Sequence, residues 1–302
     1  MRRGKTLICV LASLLMAQWP SYGAPLARIY SAAGVEALAW ARRIVKLGPR
    51  YPGSRGHARL QQLLVGELGK TRAEIIEDDF TARTPSGPIA MKNIIAKFPG
   101  TSDDIVVVSG HYDTFHRPGL HFVGANDGGS STAFLLALAG LLNAHPRKNQ
   151  VWLLFFDGEE SIARWNREDH TYGSRHLAQR WGDDGTLGKM KALINVDMIG
   201  DADLSLTSEQ LSTPWLRELV RETARGMGYG SLLSDRRLAI ADDHVPFLQA
   251  GVSAVNLIDF HYGPRNRYWH TENDTAEKLS LRSFTVMIHL VDKVLDELES
   301  VP

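Results

Sequence analysis

The sequence predicts an α/β fold, a single-domain three-layer sandwich in which a central mixed, mostly parallel sheet is flanked by helices. Three observations carry this prediction. Helix-period and strand-period segments alternate along the chain. The runs IVVVSG and VWLLFF are uniformly apolar, as strands covered on both faces are. After residue 24 there is no repeat, no low-complexity linker and no sharp change of composition, so residues 24–302 are expected to form one layered domain.

The elements follow in order. MRRGK is a basic start, TLICVLASLLMAQW is an apolar stretch too short to span a bilayer comfortably, and Ser21-Tyr22-Gly23-Ala24 supplies small residues suited to cleavage. Residues 1–23 therefore read as a secretory signal cut between Gly23 and Ala24. VEALAWARRIVKL and HARLQQLLVGEL carry apolar residues at three-to-four spacing and read as amphipathic helices. AEIIEDDF and KNIIAKF read as an edge hairpin. IVVVSG, VWLLFF, ALINVDMIG and SAVNLID are short apolar runs, rich in β-branched residues and closed by turn or polar residues, so they read as buried strands. GSSTAFLLALAGLL, PWLRELVRETARGM and FTVMIHLVDKVLDEL supply the remaining helices, and Trp152 and Trp181 are expected in the core.

The balance of charge excludes some functions. The 302 residues carry 34 Lys and Arg against 34 Asp and Glu, with no long run of either sign. Nothing in that pattern suits a nucleic acid, and no charged tail stands out. Once the signal is removed no stable membrane span is expected, and the chain is expected to be a monomer. The single cysteine, Cys9, lies within the signal and sits too early to be a lipid-attachment site. The mature chain then has no disulfide, which suits a bacterial periplasm among exported locations.

In open α/β sheets, sites form beyond the carboxyl ends of the strands. His111 and Asp113 follow IVVVSG, Glu159 and Glu160 follow VWLLFF, Asp197 closes ALINVD, and Asn256 and Asp259 lie in SAVNLID. Asp127 stands in the loop GANDGG before a helix, and His270 in the late loop RYWHTEND. Oxygen and imidazole donors without thiolate suit zinc or another borderline divalent metal. A metal also explains why a buried strand is followed by two neighbouring carboxylates, since a cation compensates the burial of one of them. Alternation at a strand end would send Glu160 to the metal and Glu159 elsewhere, free to carry a proton. Each motif alone has a plainer reading: Asp127 as a helix cap, the Glu pair as a solvated turn, His270 as a packed loop residue. Together, in this order and at strand ends, they read as one metal site.

The order HYD, GANDGG, DGEE, NVDMIG, DDH and WHT resembles the zinc-dependent M28 peptidase clan. Within it the chain is similar to the animal-type glutaminyl cyclases (glutaminyl-peptide cyclotransferases). RYPGSRG at 50–56, DDFTARTPSG at 78–87, FVGAND at 122–127, FFDGEESIARWNREDHTYGSRHLA at 155–178, DDHVPFL at 242–248 and YWHT at 268–271 carry the resemblance. It implies a zinc-aminopeptidase-like fold and a zinc ion held by Asp127, Glu160 and His270. Glu159 would shuttle the proton. Asp197 would be its acidic partner or, with His111, a ligand of a second metal. Asp242 would belong to the hydrogen-bond network behind the site, and Trp165 and Trp269 would line the substrate pocket. The implied reaction closes an N-terminal glutamine of a peptide or protein into pyroglutamate and releases ammonia.

Asn256 stands where the animal enzymes carry histidine, and GANDGGSSTA is closer to the aminopeptidase form of that loop. The five positions of a two-metal site, His111, Asp127, Glu160, Asp197 and His270, are all present. A secreted zinc aminopeptidase of the same clan is therefore the alternative, and an inactive binding module on the same fold is a minor one. His116 and His121 read as surface-loop residues. The loop YGPRNRY reads as the pocket rim, with Arg265 and Arg267 sensing the downstream peptide, and Asn273-Asp274-Thr275 reads as a turn.

Overall fold

The structure is a computed structural model that describes residues 24–301, so the signal read at 1–23 lies outside the described residues. The chain runs α1 (Ala24–Val45), α2 (Arg55–Leu68), β1 (Glu74–Thr84), β2 (Gly87–Phe98), β3 (Ile105–His111), α3 (Gly129–Ala144), β4 (Gln150–Phe156) and α4 (Tyr172–Asp183). It continues through β5 (Met190–Asp197), β6 (Leu206–Glu209), α5 (Pro214–Gly226), β7 (Leu233–Leu238), α6 (His244–Gln249), β8 (Ala254–Ile258) and α7 (Leu281–Leu298). Every helix and strand expected from the sequence within these residues is present. No helix among the described residues is long and apolar enough to cross a membrane.

Six strands form the central sheet in the order β1-β2-β4-β3-β5-β8. β1, β2 and β4 pair antiparallel, whereas β4, β3, β5 and β8 pair parallel. Side chains alternate across a strand, and both faces of β3 are apolar, so the sheet buries both sides. Val106 and Val108 join the larger core with α1, α2, α3, α5 and α7, while Ile105 and Val107 join a smaller core with Leu177 and Trp181 of α4 and Phe247 of α6. Trp152 and Trp181 meet edge to face in that smaller core, 5.4 Å between ring centres.

β1 pairs with β2 from Glu74 to Thr84, but β2 pairs with β4 only from Ile94 to Phe98. The outer half of the hairpin is thus an arm reaching past the rest of the sheet. Met91 of this arm packs with Ala82 and Tyr172, and with the half-buried Ile162. β6 and β7 form a separate two-stranded parallel sheet that the sequence pattern does not announce, because LSDRRL in β7 is polar and largely exposed. In the main sheet β4 lies on one side of β3 and β5 on the other. Connections diverge at the carboxyl end of β3, which is where a ligand crevice opens in such a sheet.

Candidate active site

His111 is the last residue of β3 and Asp197 the last of β5. The His111 carbonyl accepts hydrogen bonds from Ser131 Oγ (2.8 Å) and Thr132 Oγ1 (3.2 Å) in the first turn of α3, which ties the strand end to the helix start. Between them the chain must turn sharply. Gly128 takes φ 70°, and a Cβ there would lie 2.3 Å from the Asp113 carbonyl oxygen, so only glycine fits. Gly128 is also the N-cap of α3, and no side chain caps this helix, so the Asp127 carboxylate is not spent as a cap. The backbone N–H groups of Asn126 and Asp127 donate instead to Asp274 (2.8 and 3.1 Å), whose carboxylate also accepts from the Tyr262 hydroxyl.

The two glutamates are placed by a turn rather than by strand alternation, which corrects the sequence expectation. β4 stops at Phe156, and Asp157 and Gly158 (φ 67°) intervene before Glu159. The Asp113 carboxylate accepts from the backbone N–H of Glu159 (3.1 Å) and Glu160 (3.2 Å). Below the turn, Asp157 pairs with His57 Nε2 at 2.8 Å and accepts from Lys92 N at 2.8 Å. Two buried aspartates therefore set the direction of both glutamates.

Side chains from five segments converge. His270 Nε2 lies 3.0 Å from Glu160 Oε1 and 3.2 Å from Asp127 Oδ2. His111 Nε2 lies 3.2 Å from Asp127 Oδ1 and 3.3 Å from Asp197 Oδ1. Asp127 thus belongs to two potential metal-holding groups, Asp127-Glu160-His270 and His111-Asp127-Asp197. Donors about 2.0–2.1 Å from a tetrahedral zinc sit about 3.3 Å from each other, close to the spacings found here. Asp127 Oδ2 and His111 Nδ1 are buried without a hydrogen-bond partner, although Asp113 Oδ1 is 3.4 Å from the latter. That contact is electrostatic, and it orients the ring as a carboxylate behind a metal-bound imidazole does. The donor set fits a divalent cation.

Electrostatics agree. Burial pulls the His270 imidazole down, but the Glu160 carboxylate and Asp127 outweigh it and raise the group to about 10. Burial likewise opposes a proton on His111, yet Asp113, Asp127 and Asp197 hold it well above the usual range. Burial raises the Asp197 carboxyl to about 7. Glu159 is pushed well above the usual carboxylate range, first by burial, then by Glu160, Asp242 and Asp243. A field that stabilises positive charge on two imidazoles also stabilises a metal in their midst, which would displace those protons.

Asp127, Glu159, Glu160, Asp197 and His270 form the floor of a cavity of about 500 Å³. Its walls are apolar: Phe115, Trp165, Ile240, Ile258, Phe260 and Trp269. Trp269 stacks on the His270 ring at 4.2 Å and Phe115 stacks on that ring at 4.3 Å, so two aromatic faces fix the imidazole. Asp242 also lines the cavity, with its carboxylate accepting from Asn195 Nδ2 (3.0 Å) and Asn256 Nδ2 (2.6 Å).

The family model for peptidase family M28 matches residues 93–295. The chain belongs to peptidase family M28. The M28 chain is 30% identical over 254 residues to a glutaminyl-peptide cyclotransferase of Drosophila melanogaster, covering 76% of this chain and 71% of that relative. Its fold superposes on a glutaminyl cyclase from an Acidobacteriales bacterium with TM-score 0.85 and 38% identity, over 88% of this chain and 94% of that one. A leucine aminopeptidase precursor from Bacteroides thetaiotaomicron VPI-5482 shares the fold, with TM-score 0.77 and 23% identity over 87% and 96% of the two chains.

Other predicted residues of this M28 chain fall elsewhere. Arg265 lines a separate groove with Asp201 and Asp203, and neither Arg265 nor Arg267 is among the residues lining the cavity. Asp259 is spent on the backbone N–H groups of Ser205 and His261. His116 is exposed and stacks on Tyr51 at 3.9 Å, while His121 N donates to Glu272. Asp274 does more than form a turn, as described above. The reading also missed Arg50, which is fully buried and donates to the carbonyls of Tyr112 (3.2 Å), Val123 (2.5 Å) and Gly124 (2.9 Å). It binds the loop bearing Asp127 to the loop after β3, and burial lowers its guanidinium to about 10.

Proposed function

We propose that the chain is an exported, zinc-dependent glutaminyl-peptide cyclotransferase with residues 24–302 as its catalytic domain. It converts the N-terminal glutamine of a peptide or protein to pyroglutamate and releases ammonia. One observation carries the reading: Asp127, Glu160 and His270 converge at the floor of a cavity walled by Trp165 and Trp269, with Glu159 buried beside them. Similarity to glutaminyl cyclases along most of the chain supports it. The leader pattern at 1–23 supports export to the periplasm or medium.

Asp127, Glu160 and His270 would hold the zinc ion. Zinc bound there supplies a Lewis acid that polarises the γ-carbonyl of the substrate glutamine. The walls fold the glutamine so that its α-amine faces its own γ-carbon, turning ring closure into a positioned step. Glu159 takes the proton from the amine as the new carbon–nitrogen bond forms. It returns that proton to the amide nitrogen as the old carbon–nitrogen bond breaks and ammonia leaves. Burial and the neighbouring acids lift the Glu159 carboxyl, which makes it a competent donor in the second half. Asp242, clamped by two neutral amides, keeps its place behind Glu159, and Asp197 is the acidic partner on the other side. The experiment is parallel incubation with a Gln-peptide and leucine anilide. Pyroglutamate and ammonia without free aniline are expected; aniline without pyroglutamate overturns the reading.

A second reading, a metalloaminopeptidase, has an observation of its own in the His111-Asp127-Asp197 group. With two metals bound, Glu159 would deprotonate a water that attacks the peptide bond. Metal analysis beside the same assay separates the two, since the cyclase reading needs one zinc per chain and the peptidase two.

A further inference from the structure

Resting on the cyclase reading, we propose that Arg164 is the specificity-determining residue of this pocket and selects substrates with an acidic residue directly after the N-terminal glutamine. The floor of the cavity carries the carboxyl groups of Asp127, Glu159, Glu160, Asp197 and Asp242, and Arg164 is the one Lys or Arg among its lining residues. Its side chain is exposed at the mouth, next to Trp165. The arginine ion pairs among the described residues belong to Arg43, Arg147, Arg180, Arg221 and Arg225, so the Arg164 guanidinium is not spent on a carboxylate of its own chain.

Its root, by contrast, is fixed. The backbone N–H groups of Ile162, Ala163 and Arg164 all donate to the Asp169 carboxylate, at 2.8, 2.9 and 2.8 Å. The Tyr172 hydroxyl adds a fourth bond at 2.7 Å. Trp165 stacks on His170 at 4.2 Å, and Ile162 packs on the core formed by Met91 and Tyr172. A loop closed on one carboxylate thus anchors the backbone from which this exposed cation lines the cavity. Successive residues of an extended peptide are about 3.3–3.6 Å apart, so when glutamine fills the floor, its neighbour reaches the level of Trp165 and Arg164. A guanidinium there offers two parallel donors to a carboxylate, a match that amide or hydroxyl side chains do not provide.

The test uses Gln-Glu, Gln-Gln and Gln-Lys dipeptides as C-terminal amides, so that the second side chain is the only variable charge. For the wild-type zinc enzyme, kcat/KM is expected to fall in the order Glu, Gln, Lys. In Arg164→Gln the Gln-Glu to Gln-Gln ratio falls about threefold to tenfold, and in Arg164→Glu the preference shifts to Gln-Lys. The wild-type preference fades in roughly 1 M salt. A ratio that Arg164→Gln leaves unchanged, or a wild-type preference for Gln-Lys, overturns the inference while the cyclase reading stands. Absence of pyroglutamate from all three peptides overturns the cyclase reading and the inference with it.

Discussion

Asp113, Asp274 and Arg50 set the geometry of the candidate metal-holding residues without belonging to either candidate group. Asp274 holds the two N–H groups at Asn126 and Asp127, Asp113 those of Glu159 and Glu160, and Arg50 three carbonyls around the same loops. Replacing Asp274 with Ala is expected to weaken zinc binding about 10- to 100-fold, read by competition against a chelator of known affinity. Unchanged affinity would remove Asp274 from this role. Glu159→Gln has the opposite signature: full zinc content, but kcat lower by about 10²- to 10⁴-fold. The convergence of Asp127, Glu160 and His270 was legible in the sequence because several acids and imidazoles, each ordinary alone, follow the strands or stand in the loops at one edge of the sheet. Their supports were not, because a carboxylate that accepts from a distant backbone N–H leaves no mark in its own neighbourhood. Asp274 and Asn126 are 148 residues apart, and the local sequence at 273–275 spells only a turn.

Among the elements, α3 begins where the site is tightest. Gly128→Ala forces a Cβ to within 2.3 Å of the Asp113 carbonyl oxygen at φ 70°, and is expected to cost about 1–3 kcal/mol in urea unfolding and to lower zinc affinity together. Loss of stability with zinc affinity intact would separate the helix start from the site. α7 carries a different sensitivity. Burial pulls His289 from the ordinary 6.5 to about 4, and its Nδ1 sits 2.8 Å from the Tyr229 hydroxyl. The unfolded chain then takes up a proton on falling below pH 6.5 while the folded chain does not until about pH 4. The stability tied to this group is complete above pH 6.5 and drains away as pH drops toward 4, by about 3 kcal/mol. The check is the slope of Tm against pH over that window, which should be shallower in His289→Gln than in wild type. Buried strands and amphipathic helices were readable because their periodicity follows their burial. β6 and β7 were not, because β6 is only four residues of mixed polarity and β7 is polar with exposed residues, so neither has an apolar run. The Glu159-Glu160 turn was misplaced because the sequence shows where apolar residues stop, not the left-handed backbone at Gly158 that follows.

The whole molecule is expected to depend on its cation for stability. The carboxyl groups of Asp127, Glu160 and Asp197 lie close together in the two candidate groups, and their mutual repulsion is relieved when a divalent ion binds the folded state alone. With free zinc at 1,000 times Kd, this linkage is worth about 4 kcal/mol, or roughly 5–10 °C in Tm for a domain of this size. Calorimetry after chelation and again after zinc return should show that interval lost and regained; an unchanged Tm would mean that no ion is held there. The fold class itself was the most readable level, since helices and two-sided strands in alternation leave few arrangements besides a layered sheet. The hairpin arm of β1 and β2 adds a practical corollary. Its tip, Pro85-Ser86-Gly87, is solvent-facing and lies beyond any pairing with β4, so an epitope tag spliced there should leave zinc content and turnover intact. The root of the arm tolerates no such graft, because Met91 Sδ lies only 2.6 Å from where a Cβ on Gly158 would stand, and any shift there reaches the glutamates that directly follow Gly158.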